Sequence, residues 1–300
     1  MTNNKTKFVV VAPQYTARSG GVMILHELCH SLNKNGYPCG VVFLHGGNAT
    51  DQNFQFGISD DASLYMPNSE YINYSTKNEL DEIIRNGVVI YPDLISGNPL
   101  GAVNIIRYVL NFNENQFAGD YILSFSKVYS KFAQQILFKP FKNPAFNDIQ
   151  SAPWHKRTLN LTYFGKGPSF IECKTIKDTI LLERDWPRDK KQLALLLKQT
   201  KFLFTYDCVS ATLQDAFMCG AVPVLLHDNQ IPRHLINQME IGSFPDILFD
   251  SIENLPDGMK YDIPSVDLCL KDLQKTYNLL NENWDGRVND FVKLYLSQLR

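Results

Sequence analysis

Two aspartates, Asp207 and Asp215, stand eight positions apart in Asp207-Cys-Val-Ser-Ala-Thr-Leu-Gln-Asp215. The residues before them read as a strand ending at Tyr206. Ser210 is placed to cap a short helix, Gly220 to stop it and Pro223 to open the next strand. That arrangement puts Asp207 at the mouth of the helix, where a ligand meets strand ends, and Asp215 about two turns in on nearly the same face. The plainer alternatives are a turn or N-cap aspartate at 207 and a helix-face carboxylate at 215. A second loop, Pro13-Gln-Tyr-Thr-Ala-Arg-Ser-Gly-Gly-Val22, leaves one strand and enters a helix. Gly20 and Gly21 let the backbone come close to a ligand there, and free N–H groups with the helix dipole suit an anion such as a phosphate. A tight strand-to-helix turn without a ligand explains the same residues. Neither G-x-G-x-x-G nor G-K-[ST] occurs.

Inside that helix, His26-Glu27-Leu-Cys-His30 fits H-E-x-x-H, in which two histidines one turn apart bind zinc and the glutamate activates water. At about 100° per residue, Val22, Ile24, Leu25, Leu28, Cys29 and Leu32 form one apolar face, with Glu27 nearly opposite and both histidines at its flank. The trio is therefore expected near solvent. No Glu or His follows within the next dozen residues to serve as a third ligand, and no H-x-x-G-x-x-H extension is present. Coincidence on a solvated helix face is the preferred account, with a zinc hydrolase built on His26, Glu27 and His30 as an alternative.

The elements that must position these residues alternate. Short runs rich in Val, Ile, Phe and Tyr read as strands at 8–12, 40–44, 87–91 and 121–125, then at 158–164, 179–183, 202–206 and 222–226, with helical patterns between them. This is the signature of parallel sheets with crossover helices. A chain of 300 residues exceeds one comfortable core, so two domains of roughly 150 residues each are expected. The stretch from Lys139 to Arg157, with Pro140, Pro144 and Pro153, is the linker candidate. After Asp228 the pattern is irregular until a helical run from about Ser265 to Arg300, interrupted near Asp285 and Gly286. Two such domains suggest ligands at the carboxyl ends of their strands.

With 29 Lys plus Arg against 31 Asp plus Glu, the net charge is −2, and no nucleic-acid partner is expected. The six cysteines, Cys29, Cys39, Cys173, Cys208, Cys219 and Cys269, form no C-x-x-C pair and read as free, mostly buried thiols. The apolar run Phe8 to Ala12 is too short for a signal-peptide core, and no run approaches the roughly 18 apolar residues of a spanning helix, so a cytoplasmic protein is expected.

The segment from Asp207 resembles the strand, loop and helix of GT-B-fold glycosyltransferases, in particular the family 4-like enzymes. Their pattern is E, seven residues, E, then A-x-x-C-G-x-P-V; here Asp207, seven residues and Asp215 precede Ala216-Phe-Met-Cys-Gly-Ala-Val-Pro223, so both glutamates are aspartates. Ser19-Gly-Gly-Val22, its helix and Asn35-Gly-Tyr-Pro-Cys-Gly-Val-Val42 are similar to that fold's opening G-G-V, helix and G-H-x-V. Leu161-Thr-Tyr-Phe-Gly165-Lys166-Gly167 is similar to the glycine and basic residue that open the nucleotide-binding domain. The elements that usually follow are shortened here to Thr179-Ile-Leu-Leu-Glu-Arg184-Asp-Trp-Pro-Arg188.

The resemblance implies an α/β protein of GT-B type, two Rossmann-like parallel-sheet domains facing a cleft. Residues 1–150 would form the acceptor side, 151–285 the nucleotide-sugar side, and 286–300 a helix packing back on the first domain. By the same resemblance Asp215 would accept hydrogen bonds from the ribose hydroxyls and Asp207 would contact the donor sugar. No D-x-D element is present to hold a metal. Lys166, Arg184 and the helix N-terminus at Ser210, Ala211 and Thr212 are then the groups that would meet the donor diphosphate, with Gly20 and Gly21 as a further anion seat. Asp93, at the end of Val88-Val-Ile-Tyr-Pro-Asp93, would contact the transferred sugar or act as a base; a turn aspartate before Gly97-Asn-Pro99 reads equally well. Trp186, next but one to Arg184, has a ring suited to stacking on a base or sugar.

The expected activity is transfer of a sugar from a nucleotide diphosphate-sugar donor to a glycan or lipid-linked acceptor in surface polysaccharide synthesis, without a metal or other cofactor and with retention of configuration. A sugar-nucleotide epimerase or hydrolase of the same fold is an alternative. The compact length points to trimmed loops and to association with a larger assembly or the inner face of the membrane.

Overall fold

The computed structural model describes residues 5–48, 51–74, 76–113, 115, 117–140, 146, 152–165, 173–183, 186–207, 210–226, 240 and 263–299. The chain divides into two units, Met1–Lys139 with Glu282–Arg300, and Pro140–Asn281. In the first unit, β1 (Phe8–Ala12) leads into α1 (Gly20–Lys34) and β2 (Cys39–His45), followed by β3 (Gln55–Gly57), α2 (Lys77–Asn86), β4 (Val88–Pro92), β5 (Asn104–Val109), β6 (Tyr121–Ser124) and β7 (Gln135–Ile136). The sheet order is β3-β2-β1-β4-β5-β6-β7. Every pairing is parallel except β2 with β3.

A parallel sheet covered on both faces needs strands apolar on both sides, which is why β1 is an unbroken Phe-Val-Val-Val-Ala with every residue at 0% exposure. Val9, Val11, Val42, Ile83, Val89 and Tyr91 build the core on one face of this sheet. Helix α2 carries a capping box in which Thr76 and Glu79 satisfy each other's backbone N–H groups.

The second unit contains β8 (Leu159–Tyr163), β9 (Ile180–Leu182), α3 (Lys190–Gln199), β10 (Thr200–Thr205), α4 (Ala211–Met218), β11 (Val222–Leu225) and α5 (Ile263–Glu282). Its four described strands run parallel in the order β11-β10-β8-β9. Leu161, Leu193, Leu197, Leu203 and Ala216 form the core between sheet and helices. Helix α4 stops where Gly220 takes a left-handed φ of 73° and its N–H returns to Phe217 O at 2.9 Å.

The last helix, α6 (Trp284–Gln298), belongs to the first unit and packs on α1. Asp285 accepts hydrogen bonds from Ser31 Oγ at 2.6 Å and from Lys34 Nζ, and Arg287 donates to Phe138 O at 2.6 Å. Among the described residues no helix is long and apolar enough to cross a membrane.

All eight strands expected from the sequence are present, and the helical run at the end of the chain breaks at Asn283. Strand β5 was not expected. Its pattern Asn-Ile-Ile-Arg-Tyr-Val places a charge mid-strand, yet Arg107 is 1% exposed because its guanidinium is consumed: Nε reaches Asp120 Oδ2 at 2.9 Å, Nη2 reaches Gly97 O at 2.6 Å and Nη1 donates to Ile95 O. Cys29, Cys39, Cys173 and Cys219 are free thiols, and all but Cys173 are buried; Cys208 and Cys269 lie outside the residues whose side chains are described.

Candidate functional site

In an open parallel sheet, the connections from neighbouring strands diverge at one place, and a crevice opens there beyond the carboxyl ends of the strands. In the second unit β8 connects to β9 on one side while β10 lies on the other, so the divergence is between β8 and β10. Gly165 follows β8 and Asp207 follows β10, and the two touch. A Cβ built on Gly165 would stand 2.4 Å from Asp207 Oδ2 and 2.7 Å from Tyr163 Cε1, and Gly165 has a left-handed φ of 58°. Only glycine fits there. Asp207 is 2% exposed and is set by a local turn: its N–H donates to Thr205 Oγ1 at 3.0 Å, and the hydroxyl donates back to Asp207 O at 3.2 Å.

Ser210 is the N-cap of α4, but its Oγ makes no capping hydrogen bond; it is buried and has no partner among the described residues. Ala211 and Thr212 supply the first N–H groups of the helix, which have no intrahelical acceptor. Asp215 lies on α4 at 3% exposure. Its Oδ2 is 3.1 Å from Nζ of Lys190, the first residue of α3. Burial pushes the Asp215 carboxyl above the ordinary carboxylate range, and the Lys190 ammonium pulls it part of the way back.

In the first unit the divergence is between β1 and β4, since β2 lies on one side of β1 and β4 on the other. The α1 N-terminus and Asp93 follow those two strands. Ser19 Oγ accepts from Val22 N at 3.4 Å, which leaves the N–H groups of Gly20 and Gly21 at the helix start. Space does not demand glycine at 21, where a Cβ would meet Leu110 Cδ1 at 3.7 Å. Asp93 ties β4 to the segment after β5: Oδ1 accepts from Leu110 N at 3.0 Å and Oδ2 from Asn113 Nδ2 at 3.3 Å. Burial raises its carboxyl, and those two hydrogen bonds oppose the shift.

The expectation of a trio near solvent is corrected at His26, while Glu27 and His30 are partly exposed. His26 is 2% exposed, not at the surface, because the β1–α1 loop folds over it. Nε2 lies 2.9 Å from Pro13 O and the ring stands edge-on to Tyr15 at 5.4 Å. A carbonyl only accepts, so Nε2 carries the proton and is no ligand. Burial lowers the His26 pKa, and the hydrogen bond to Pro13 O opposes the shift. Glu27 is paired with Lys139 Nζ at 2.6 Å, and His30 Nδ1 accepts from Glu70 N at 2.8 Å. The three side chains brace the first unit in three directions, and no group of three His, Cys, Asp or Glu among the described residues is placed to hold a metal.

No family model and no curated protein matches the sequence. Among solved structures, the chain is similar to the crystal structure of the glycotransferase of kitacinnamycin, with a TM-score of 0.52 over 97% of this chain and 99% of that chain at 10% identity. The chain has the GT-B fold.

Below that similarity stand a glycosyltransferase from Rickettsia africae ESF-5, TM-score 0.49 over 99% of each chain at 10% identity, and the glycosyltransferase SnogD from Streptomyces nogalater, 0.48 over 97% of this chain and 100% of that chain at 11% identity. Within this GT-B chain the expected site residues fall into two groups. Asp207, Ser210, Ala211, Thr212 and Asp215 gather on β10 and α4 of the second unit, and Gly20, Gly21 and Asp93 follow β1 and β4 of the first. Lys166 and Arg184 lie outside the described residues. Sequence reasoning passed over Lys190. The available signal was the need of a buried carboxylate for a counter-charge, with Lys190 opening a helix behind the N-cap Asp189.

Proposed function

We propose that the protein is a glycosyltransferase that moves a sugar from a nucleotide diphosphate-sugar donor to a glycan or lipid-linked acceptor, without a metal and with retention of configuration, in the manner of family 4-like enzymes. What supports this reading is one arrangement in the second unit: Asp207 against Gly165 where β8 and β10 diverge, and Asp215 on the helix that follows the same strand end. A carboxylate that is buried but ionically held is suited to accept hydrogen bonds from vicinal hydroxyls, and Asp215 takes this role toward the ribose.

Asp207 is assigned to the donor sugar. The N–H groups of Ala211 and Thr212, with Ser210 Oγ, which has no partner among the described residues, receive the diphosphate at the α4 N-terminus, where the helix dipole favours negative charge as the leaving group departs. Lys166 and Arg184 add cations to that role. In the first unit, Gly20 and Gly21 offer an anion seat of the same kind, and Asp93 is assigned to the transferred sugar.

The test is thermal unfolding with UDP, GDP, ADP and dTDP. One of them, at about a hundred times its dissociation constant, is expected to raise the melting temperature by roughly 5 °C, and Asp215→Ala is expected to abolish the shift together with transfer from the matching nucleotide sugar. A protein that none of the four stabilises, with activity indifferent to Asp215→Ala, would sink the reading.

A further inference from the structure

We infer that Arg107 is a positioning residue for Asp93: it fixes the turn that follows Asp93 and keeps that carboxyl ionised, so that its unused lone pairs accept hydroxyls of the transferred sugar. The inference rests on the glycosyltransferase function proposed above, in which Asp93 meets that sugar, and adds to it a group that never touches the substrate.

A guanidinium in the middle of a buried parallel strand is costly, and the fold alone does not call for it. Ion pairs taken out of water are often matched in stability by apolar residues of the same volume. The register of β5 against β4 sets Arg107 beside Tyr91, two residues before Asp93. From there Nη1 donates to Ile95 O and Nη2 to Gly97 O at 2.6 Å, which holds the turn immediately after Asp93. Nε and Nη2 reach Asp120 Oδ2 at 2.9 and 2.7 Å, and the Tyr91 and Phe117 rings each have their centroid 5.0 Å from Cζ. Phe117 and Asp120 lie at the far end of the segment that begins with Leu110 and Asn113, the two residues that donate to Asp93. One guanidinium therefore holds both the chain that carries the carboxyl and the segment that binds it.

The same placement has an electrostatic consequence. A carboxylate has about four lone-pair sites, and Leu110 N and Asn113 Nδ2 occupy one on each oxygen, so each oxygen keeps another. All of them accept only while the group is ionised. Burial pushes the Asp93 carboxyl up; its hydrogen bonds and the positive charge of Arg107 bring it down. The other charged group packed here is Asp120, the counter-ion of Arg107. Burial pushes the neighbouring Tyr91 up to about 12 and raises Tyr108 as well, so both are neutral in acid. The first turn of α1, where Gly21 faces Leu110, contains no acidic residue. Among the described residues, Arg107 is thus the charged side chain that acts on Asp93.

The test is the pH dependence of kcat/KM for transfer from whichever nucleotide sugar the intact protein uses; Asp93→Asn identifies the acid limb that belongs to Asp93 by removing it. Loss of a nearby cation raises a carboxyl, so Arg107→Met is expected to move that limb up by about one pH unit while leaving nucleoside diphosphate affinity in the second unit nearly unchanged. Arg107→Lys, which keeps the charge and loses the fork, is expected to fall between Arg107→Met and the unmodified protein. Asp120→Asn frees Arg107 from its counter-ion and is expected to move the limb the other way, toward lower pH. A role confined to folding would give no such opposition of sign, and a limb that stays put in Arg107→Met overturns the inference. Should Arg107→Met fail to fold, the isosteric Asp120→Asn decides: a shift toward lower pH carries the inference, and an unmoved or raised limb overturns it. A protein that transfers from no nucleotide sugar loses the glycosyltransferase function and the inference together, an outcome distinct from an active enzyme whose limb ignores Arg107.

Discussion

At the scale of single residues, the candidate site depends on close approach. Asp207 occupies the space that a Cβ at position 165 would take, and the backbone there has the left-handed φ of 58° that L side chains rarely adopt. Gly165→Ala is therefore expected to lower unfolding free energy by on the order of 2 kcal/mol, read from urea denaturation, and to abolish stabilisation by nucleoside diphosphates as Asp207 is displaced. Full stability with unchanged nucleotide binding would show that the contact is dispensable. Several side chains that look functional in a linear reading are structural instead. His26, Glu27 and His30 bind Pro13 O, Lys139 and Glu70 N, and the motif they spell is a coincidence of three braces on one helix. The aspartate spacing was legible because strand, turn and helix are contiguous there. The Lys190 contact was not, because its two partners are 25 positions apart and meet only through helix packing.

At the scale of elements, α6 shows how a helix far along the chain completes a fold begun at its start. It buries Val288, Phe291, Val292 and Tyr295, with Tyr295 edge-on to Tyr121 at 4.9 Å. Asp285 at its first turn receives Ser31, Lys34 and, through its carbonyl, Asn35. Burial pushes the Asp285 carboxyl up, but the hydrogen bonds from Lys34 and Ser31 and the charge of Lys34 outweigh it and hold it below the ordinary value of 3.8. A carboxyl lowered in the folded state adds stability above its unfolded value, and that share is lost as pH falls through the lower folded value. Asp285→Ala is accordingly expected to speed amide exchange in α6 and the last turn of α1 at neutral pH, and to make little difference to that exchange once the carboxyl is protonated. Because the pair is well exposed, the effect on global stability is expected to be small, about 1 kcal/mol or less. An α6 whose exchange at neutral pH ignores the substitution would show that its apolar face alone holds it.

At the scale of the whole molecule, the chain is two α/β units, and the first is closed by residues from both ends of the sequence. The roles proposed for them predict a division of response. A stabilising nucleoside diphosphate is expected to slow amide exchange in β8, β10 and the start of α4, where its seat is proposed, and to leave β1, β4 and β5 nearly unchanged. Protection appearing mainly in the first unit would reverse the assignment of donor and acceptor roles. Composition and periodicity by themselves determined the alternation of strand and helix and eight of the strands, because a short run rich in Val, Ile, Leu, Phe and Tyr carries its own burial signal. They also determined the Asp207 to Asp215 spacing. Only the tertiary structure decided that Arg107 belongs in a strand, that His26 is buried, that Gly165 makes room for Asp207, that Lys190 completes Asp215 and that α6 docks on α1. For Arg107, His26 and Asp215 the physical reason is shared: a charge or an imidazole is acceptable inside a protein only with its partner beside it, and sheet order and helix packing bring those partners together across distances that no local pattern spans.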